Sequence, residues 1–456
     1  MRKIKKLVAT LLAATMVLAM GVTAFAAEND STALAAGTYT ANQNLYKDAE
    51  CTNPSMGDAA VNDMWADITI NANGKATLVV HTHEIKYLGL TGHLGKMEIN
   101  GTAKEPVKDS SGDAPRTLVL VIGESTQRGR MSLYGYPRET TPELDALHKS
   151  DPNFTVFNNV VTSRPYTIEI LQQALTFANE KNPDLYLTQP SLMNMMKQAG
   201  YKTFWITNQQ TMTARNTMLT VFSKQTDKQF YMNQQRTQSA REYDSNVLAP
   251  FKEVLADPAP KKFIIVHLLG THIKYKFRYP DGQGKFDNNI DNVPAGLSND
   301  ELEAYNDYDS ANVYNDHIIA SLIKDYKATD PNGFLLYFSD HGEEVYDTPP
   351  HKTQGRNEDN PTRHMYTVPF LLWTSEKWQA AHPRDFSQDV NRKYSSSELI
   401  HTWSDLAGFT YDGFDPTRAI TSPQFKETTR WIGNPYKKNA LIDYDTLPYG
   451  DQIGNQ

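Results

Sequence analysis

The sequence predicts an α/β protein with a doubly wound, mainly parallel sheet, preceded by a small all-β sandwich module. Three observations carry this. Gly333 to Glu344 reads GFLLYFSDHGEE, a continuous apolar run bounded by glycines, the pattern of a strand buried on both faces. Similar runs at Thr117 to Ile122 and Lys262 to Val266 alternate with segments of helical spacing. Before residue 108 the texture changes to β-branched alternation broken by turn residues.

In chain order, Met1 to Ala26 has the form of an export signal. Arg2, Lys3, Lys5 and Lys6 are its basic region, Leu7 to Met20 its apolar region, and Ala24-Phe25-Ala26 its cleavage signal. The expectation is a protein soluble after cleavage and exported to the extracellular, cell-surface or periplasmic side, with no transmembrane anchor. Peripheral membrane contact stays compatible with that. The chain has 456 residues and a formal charge of −8, which grows more negative once those basic residues are removed. An acidic exported chain excludes nucleic acid as a partner. Cys51 is the only cysteine, so no intramolecular disulfide is possible.

Residues 27–108 form the β module. Trp65 to Ile70 and Lys75 to Ile85 read as strands around the turn residues Asn71 to Gly74, with His81 and His83 on one face. That pair reads as a surface feature or as a metal or ligand site. Lys104 to Pro115 is a Pro-, Gly- and Ser-rich linker. The catalytic domain is expected over 109–436, with an irregular tail over 437–456.

Thr117 to Ile122 ends in Gly123-Glu124-Ser125, which puts Glu124 at a strand's carboxyl end, where open α/β sheets bind ligands. Phe154 to Val161 is a strand candidate. Ile168 to Asn179 has helical spacing, with Thr167 at its start. Thr167 there is either an N-cap or a nucleophile favoured by the helix N-terminus. Leu192 to Ala199 reads as a helix and Lys202 to Thr207 as a strand before Asn208-Gln209. The strand at Lys262 to Val266 leads to His267 and His272. Leu302 to Ile323 is a long amphipathic helix, and the strand at Phe334 to Phe338 ends in Asp340-His341. Val368 to Trp373 is a further buried strand and Ser396 to Ala407 a helix; the chain after Trp431 reads as irregular. Strand ends therefore carry Glu124, His272, Asp340 and His341, with Thr167 nearby. Carboxylate and imidazole donors of this kind, with the Thr oxygen, close a shell for Zn2+, or Mn2+. Coordination is one of few ways to activate a Thr hydroxyl.

Gly123-Glu124-Ser125, Leu133-Tyr134-Gly135-Tyr136 with Thr140-Thr141-Pro142, Ser339-Asp340-His341-Gly342-Glu343 and Gly355-Arg356-Asn357-Glu358 resemble the phosphoethanolamine transferases of the alkaline phosphatase/sulfatase superfamily. Thr162 to Phe177 and Phe204 to Arg215 are most similar to the branch that modifies the lipopolysaccharide core. The resemblance runs from about Arg116 to about Trp431. It implies that Glu124, Thr167, Asp340 and His341 hold one Zn2+, or the first of two, with Thr167 also the nucleophile. Thr162 and Ser163 are the alternative hydroxyls. It implies that His272 and His351 bind phosphate or a second zinc, or protonate the leaving oxygen. His364 competes with His351, and His267 with His272. Asn208 and Gln209 are carried over as substrate-pocket residues. The implied reaction moves phosphoethanolamine from phosphatidylethanolamine, through a phospho-threonine intermediate, to a hydroxyl of an envelope glycan or lipid. Family members carry transmembrane helices where this chain has a signal and a β module. That departure opens the donor and acceptor, and a teichoic acid or surface glycan would suit a Gram-positive cell. A phosphodiesterase or phosphoglycerol transferase of the same superfamily is the nearest rival, and a surface binding protein working through the β module the more distant one.

Overall fold

The computed structural model describes residues 107–112, 114–187, 189–210 and 217–448, and six strands before them. The chain divides into two compact units, Met1–Glu105 and Pro106–Gln456. In the first, Gly37–Asn42, Trp65–Ile70, Lys75–Val80 and Met97–Thr102 form an antiparallel four-stranded sheet, and Glu84–Tyr87 pairs with Leu90–His93 as a hairpin. The segment read as strand from Lys75 to Ile85 holds the described strand Lys75–Val80 and the start of Glu84–Tyr87. His81, His83, Cys51 and the signal-like segment lie outside the described residues.

The second unit is built on seven strands: β1 (Arg116–Gly123), β2 (Phe154–Phe157), β3 (Lys202–Thr207), β4 (Lys228–Tyr231), β5 (Lys261–His267), β6 (Phe334–Ser339) and β7 (Phe370–Thr374). Their order across the sheet is β4-β3-β5-β1-β6-β7-β2. The strands from β4 to β6 are parallel, while β7 runs antiparallel to both β6 and β2. The sheet is therefore mixed. Hydropathy marks a buried strand but carries no sign of its direction, so the reversed edge was not readable from the apolar runs.

Alternate residues of each strand feed two cores. Leu118, Leu120 and Ile122 of β1, with Leu336 and Phe338 of β6, pack under the helices Thr167–Ala174, Leu192–Gln198 and Leu399–Ala407. Val119, Val121, Leu335 and Tyr337 face the helices Leu248–Leu255 and Asn299–Lys327. Helices on both faces explain why these strands read as unbroken apolar runs rather than as alternation.

Two local readings change. The helix after Thr167 ends at Ala174, not Asn179. Thr176 turns its hydroxyl back onto the Gln172 carbonyl, and its Oγ1 then accepts the Ala178 N–H, which takes the chain out of helical pairing. The segment after Trp431, read as irregular, carries paired and buried residues: Trp431–Ile432 pairs with Ile442–Asp443, and Tyr444 and Leu447 are buried beside Met365 and Tyr366. Its long polar linker hides those few anchoring side chains from a periodicity reading.

Candidate metal centre

Strand register builds the site. Ser339 lies opposite Gly123, and the Asp340 N–H donates to the Gly123 carbonyl at 3.0 Å. The residues just past the two strand ends, Glu124 and Asp340-His341, therefore meet at one edge of the sheet, and all three are fully buried. Gly270 closes the same edge from the loop after β5. It takes φ +53°, and a Cβ there would lie 2.5 Å from the Glu124 carbonyl oxygen, so the loop can approach this closely only at glycine. Ser125, also left-handed at φ 59°, donates its N–H to Asp340 Oδ1 (3.1 Å) and its hydroxyl to Glu124 Oε1 (2.7 Å). The Tyr308 hydroxyl holds that turn by donating to the Ser125 carbonyl.

Ligand atoms of Glu124, Asp340 and His341 lie within 4.8 Å of one another. Thr167 joins them: its hydroxyl donates to Glu124 Oε2 at 2.9 Å and lies 3.4 Å from His341 Nε2. Thr167 is the first helical residue, after an N-cap, Tyr166, that makes no side-chain cap bond. The Thr167 hydroxyl therefore serves the cluster rather than the helix end, and the residue is half-buried while the other three are enclosed. The alternative hydroxyls are engaged elsewhere, Thr162 on the Arg164 carbonyl and Ser163 on Gln173.

The donor set fits a divalent cation. His341 Nδ1 lies 2.8 Å from the Gly342 carbonyl, which requires the proton on Nδ1 and leaves the Nε2 lone pair facing Glu124 and Asp340. Asp340 Oδ2 is buried with no hydrogen-bond partner. An orphaned carboxylate oxygen beside an imidazole nitrogen and a second carboxylate is what a cation would satisfy, and the imidazole favours zinc over the harder ions. The electrostatics agree. Burial and the Glu124 charge push Asp340 up to about 7. Burial works against the Glu124 charge too, yet the imidazoles of His341 and His272 and the Arg356 guanidinium hold it well below the usual carboxylate range. Two carboxylates enclosed this closely need positive charge.

The other expected residues separate. Gln209 reaches the centre, donating from Nε2 to Glu124 Oε2 (3.0 Å) and to the Leu268 carbonyl. Asn208 instead donates to Asp244 and the Glu242 carbonyl. His272 is half-buried within range of Glu124, Arg356 and Arg278, and burial foremost holds it neutral, down to about 4. His267 is fully enclosed against Trp205, with neither ring nitrogen bonded. His351 is left-handed, with Nδ1 on the Tyr346 carbonyl. The backbone of His364 packs on Gly342.

Residue reasoning assigned no role to four groups that touch the centre or its supports: Ser125, Arg356, Glu343 and Tyr275. Arg356 Nη1 lies 2.6 Å from His341 Nε2 and 3.5 Å from Glu124 Oε1. Its Nε pairs with Glu343 Oε2, and Glu343 Oε1 accepts the Tyr275 hydroxyl. Ser125, Arg356 and Glu343 stood inside the quoted motifs, so a signal was present; for Tyr275 there was none.

Comparison with known proteins bears on the same segment. The sulfatase family model matches residues 116–409. Phosphoethanolamine transferase EptC of Escherichia coli O18:K1:H7 is 88% identical over 349 residues, and CptA of Salmonella typhimurium 91% identical over 349. Each match takes in 76% of this chain but 60% of the relative, so the chain spans about three-fifths of those proteins. The crystal structure of the C-terminal periplasmic domain of EptC from Escherichia coli, in complex with Zn, is 86% identical with a TM-score of 0.76. That match covers 78% of this chain and all of that domain.

Proposed function

This chain belongs to the sulfatase family, in its phosphoethanolamine transferase branch, and from that premise we propose that it transfers phosphoethanolamine from phosphatidylethanolamine to an acceptor hydroxyl through Thr167. The observation that carries the reading is the Thr167 hydroxyl, half-buried and hydrogen-bonded to Glu124 within the cluster that Asp340 and His341 complete. Envelope glycans and lipids are the acceptor class, with the lipopolysaccharide core as first candidate because Thr162 to Phe177 and Phe204 to Arg215 resemble the branch that modifies it.

Zn2+ held by Glu124, Thr167, Asp340 and His341 would supply Lewis-acid charge, lowering the pKa of the hydroxyl and offsetting charge on the phosphoryl oxygens. In the first displacement Thr167 gives up its proton and its oxygen forms a bond to phosphorus. The bond to the diacylglycerol oxygen breaks, and that oxygen takes a proton. In the second, an acceptor hydroxyl loses its proton and bonds phosphorus, the Thr167 ester breaks, and Thr167 recovers its proton. Glu124 Oε2 orients the Thr167 hydroxyl, since it already accepts that proton in a 2.9 Å hydrogen bond. Gln209 fixes Glu124 Oε2 in turn. His272 is neutral at physiological pH and presents an imidazole N–H donor for a phosphoryl oxygen rather than a fixed charge. His351 is its proposed companion, with His364 the competing choice.

Product analysis tests this. The protein with zinc, given phosphatidylethanolamine, is expected to release diacylglycerol, and Thr167→Ala to release none. Diacylglycerol release unchanged in Thr167→Ala would remove Thr167 as nucleophile. Free phosphoethanolamine as the sole second product, with a glycan acceptor present, would make the protein a phosphodiesterase.

A further inference from the structure

Two cations cannot share the lone pair of His341 Nε2. With Nδ1 donating to the Gly342 carbonyl and a guanidinium, which can only donate, 2.6 Å from Nε2, Nε2 acts here as an acceptor with one lone pair to offer. In this structure Arg356 takes that lone pair, its Nη1 donating at 2.6 Å. The same Nη1 reaches Glu124 Oε1 (3.5 Å) and Ser125 Oγ (3.4 Å). A zinc ion held by His341 would use that same lone pair, at about 2.0–2.1 Å from Nε2. The guanidinium therefore occupies the approach a metal must use.

The rest of Arg356 is anchored apart from that contact. Nε lies 3.3 Å from Glu343 Oε2, and Glu343 is fully buried with its other oxygen on the Tyr275 hydroxyl at 3.0 Å. The side chain is itself half-buried. A swing of the whole planar guanidinium about the aliphatic bonds of the side chain would lift Nη1 from the seat while leaving the charge beside the Glu343 carboxylate. The enclosed carboxylates would then have a cation beside them in either state.

We propose that Arg356 is the guest cation of the metal seat, filling it through Nη1 when no metal is bound and swinging aside, still beside the Glu343 carboxylate, when Zn2+ enters. Arg356 is thus a competitor that sets zinc affinity, in addition to any contact it makes with substrate. The inference rests on the reading of Glu124, Thr167, Asp340 and His341 as a zinc site.

The test is a zinc titration of the full chain, stripped of metal, against a competing chromophoric chelator. Parent, Arg356→Ala, Arg356→Gln and Glu124→Gln are compared, with melting temperatures recorded with and without zinc. Arg356→Ala and Arg356→Gln are expected to bind zinc at least tenfold more tightly than the parent. Their metal-free forms should melt lower than the metal-free parent, so the gain in melting temperature on adding zinc grows. A parent that binds zinc while both Arg356 variants bind it equally or more weakly overturns the inference and leaves the zinc site standing. A parent that binds no more zinc than Glu124→Gln overturns both. A purely supporting role for Arg356 would lower both melting temperatures without tightening zinc.

Discussion

Removing the Asp309 carboxylate should be among the most damaging single changes in the catalytic unit. Asp309 lies on the long helix Asn299–Lys327 with no exposed surface. Its Oδ1 accepts from Arg130, at 2.9 Å from Nε and 2.7 Å from Nη2. Its Oδ2 accepts from Arg138 Nη1 (2.6 Å) and the Tyr136 hydroxyl (3.0 Å). Both guanidiniums are buried. In Asp309→Ala, Arg130 keeps Asp347 at 2.9 Å and the face of the Tyr305 ring. Arg138 keeps no carboxylate, only the neutral oxygens of Asn306 and Asn289 and the Phe286 and Tyr305 rings. An uncompensated buried charge costs about 3–5 kcal/mol. The retained partners of Arg130 put the expected loss of unfolding free energy in the lower part of that range, read as a reduced urea midpoint. Adding Arg138→Met should then recover part of the loss, because it removes the stranded cation. A loss below about 1 kcal/mol, or no recovery in the double variant, would refute the claim that this network holds the helix to the segment before Thr140.

Two further outcomes follow from burial. His401 is enclosed, its Nδ1 accepts the Asp415 N–H, and burial with the nearby Arg418 depresses it from 6.5 to about 3. A depressed histidine contributes stability that is fully present above pH 6.5 and is lost as pH falls toward 3, about 2 kcal/mol of it by pH 5. His401→Phe should therefore flatten the fall in urea midpoint between pH 8 and pH 5, and a slope equal to the parent's would contradict the assignment. A Cβ at Gly342 would run into the carbonyls of His364 and Thr367, so Gly342→Ala should cost about 1–3 kcal/mol and also weaken zinc binding, because the Gly342 carbonyl sets the His341 tautomer. Chelator titration and urea melts on one sample check both, and unchanged zinc affinity would detach that carbonyl from the metal centre.

Much of the site could be read from the sequence because parallel strands announce their own ends. Glu124 and Asp340-His341 each follow an unbroken apolar run, and a shared register brings them together. Thr167 was harder, since a threonine opening a helix is ordinarily a cap. The hydrogen bond to Glu124, and Tyr166 rather than Thr167 at the cap position, separate the two roles. The histidines resisted because His351 and His364 sit in a loop whose path is set by side chains far apart in sequence. Buried Glu344, for example, accepts from both Thr348 and Thr362. Arg356 is a similar case. Nothing in its spacing reports that it reaches back to His341, and a periodicity reading sees only a charged residue in a polar loop.

The central claim is that Thr167 carries the phosphoethanolamine group between donor and acceptor. The most direct test is the intact mass of the zinc-loaded protein before and after incubation with phosphatidylethanolamine, without acceptor, alongside Thr167→Ala. A mass gain of one phosphoethanolamine group on the parent, mapped to Thr167 and lost when acceptor is added, is the predicted result. An adduct of the same mass on Thr167→Ala would contradict it, as would diacylglycerol release by a parent that never gains mass under rapid quench.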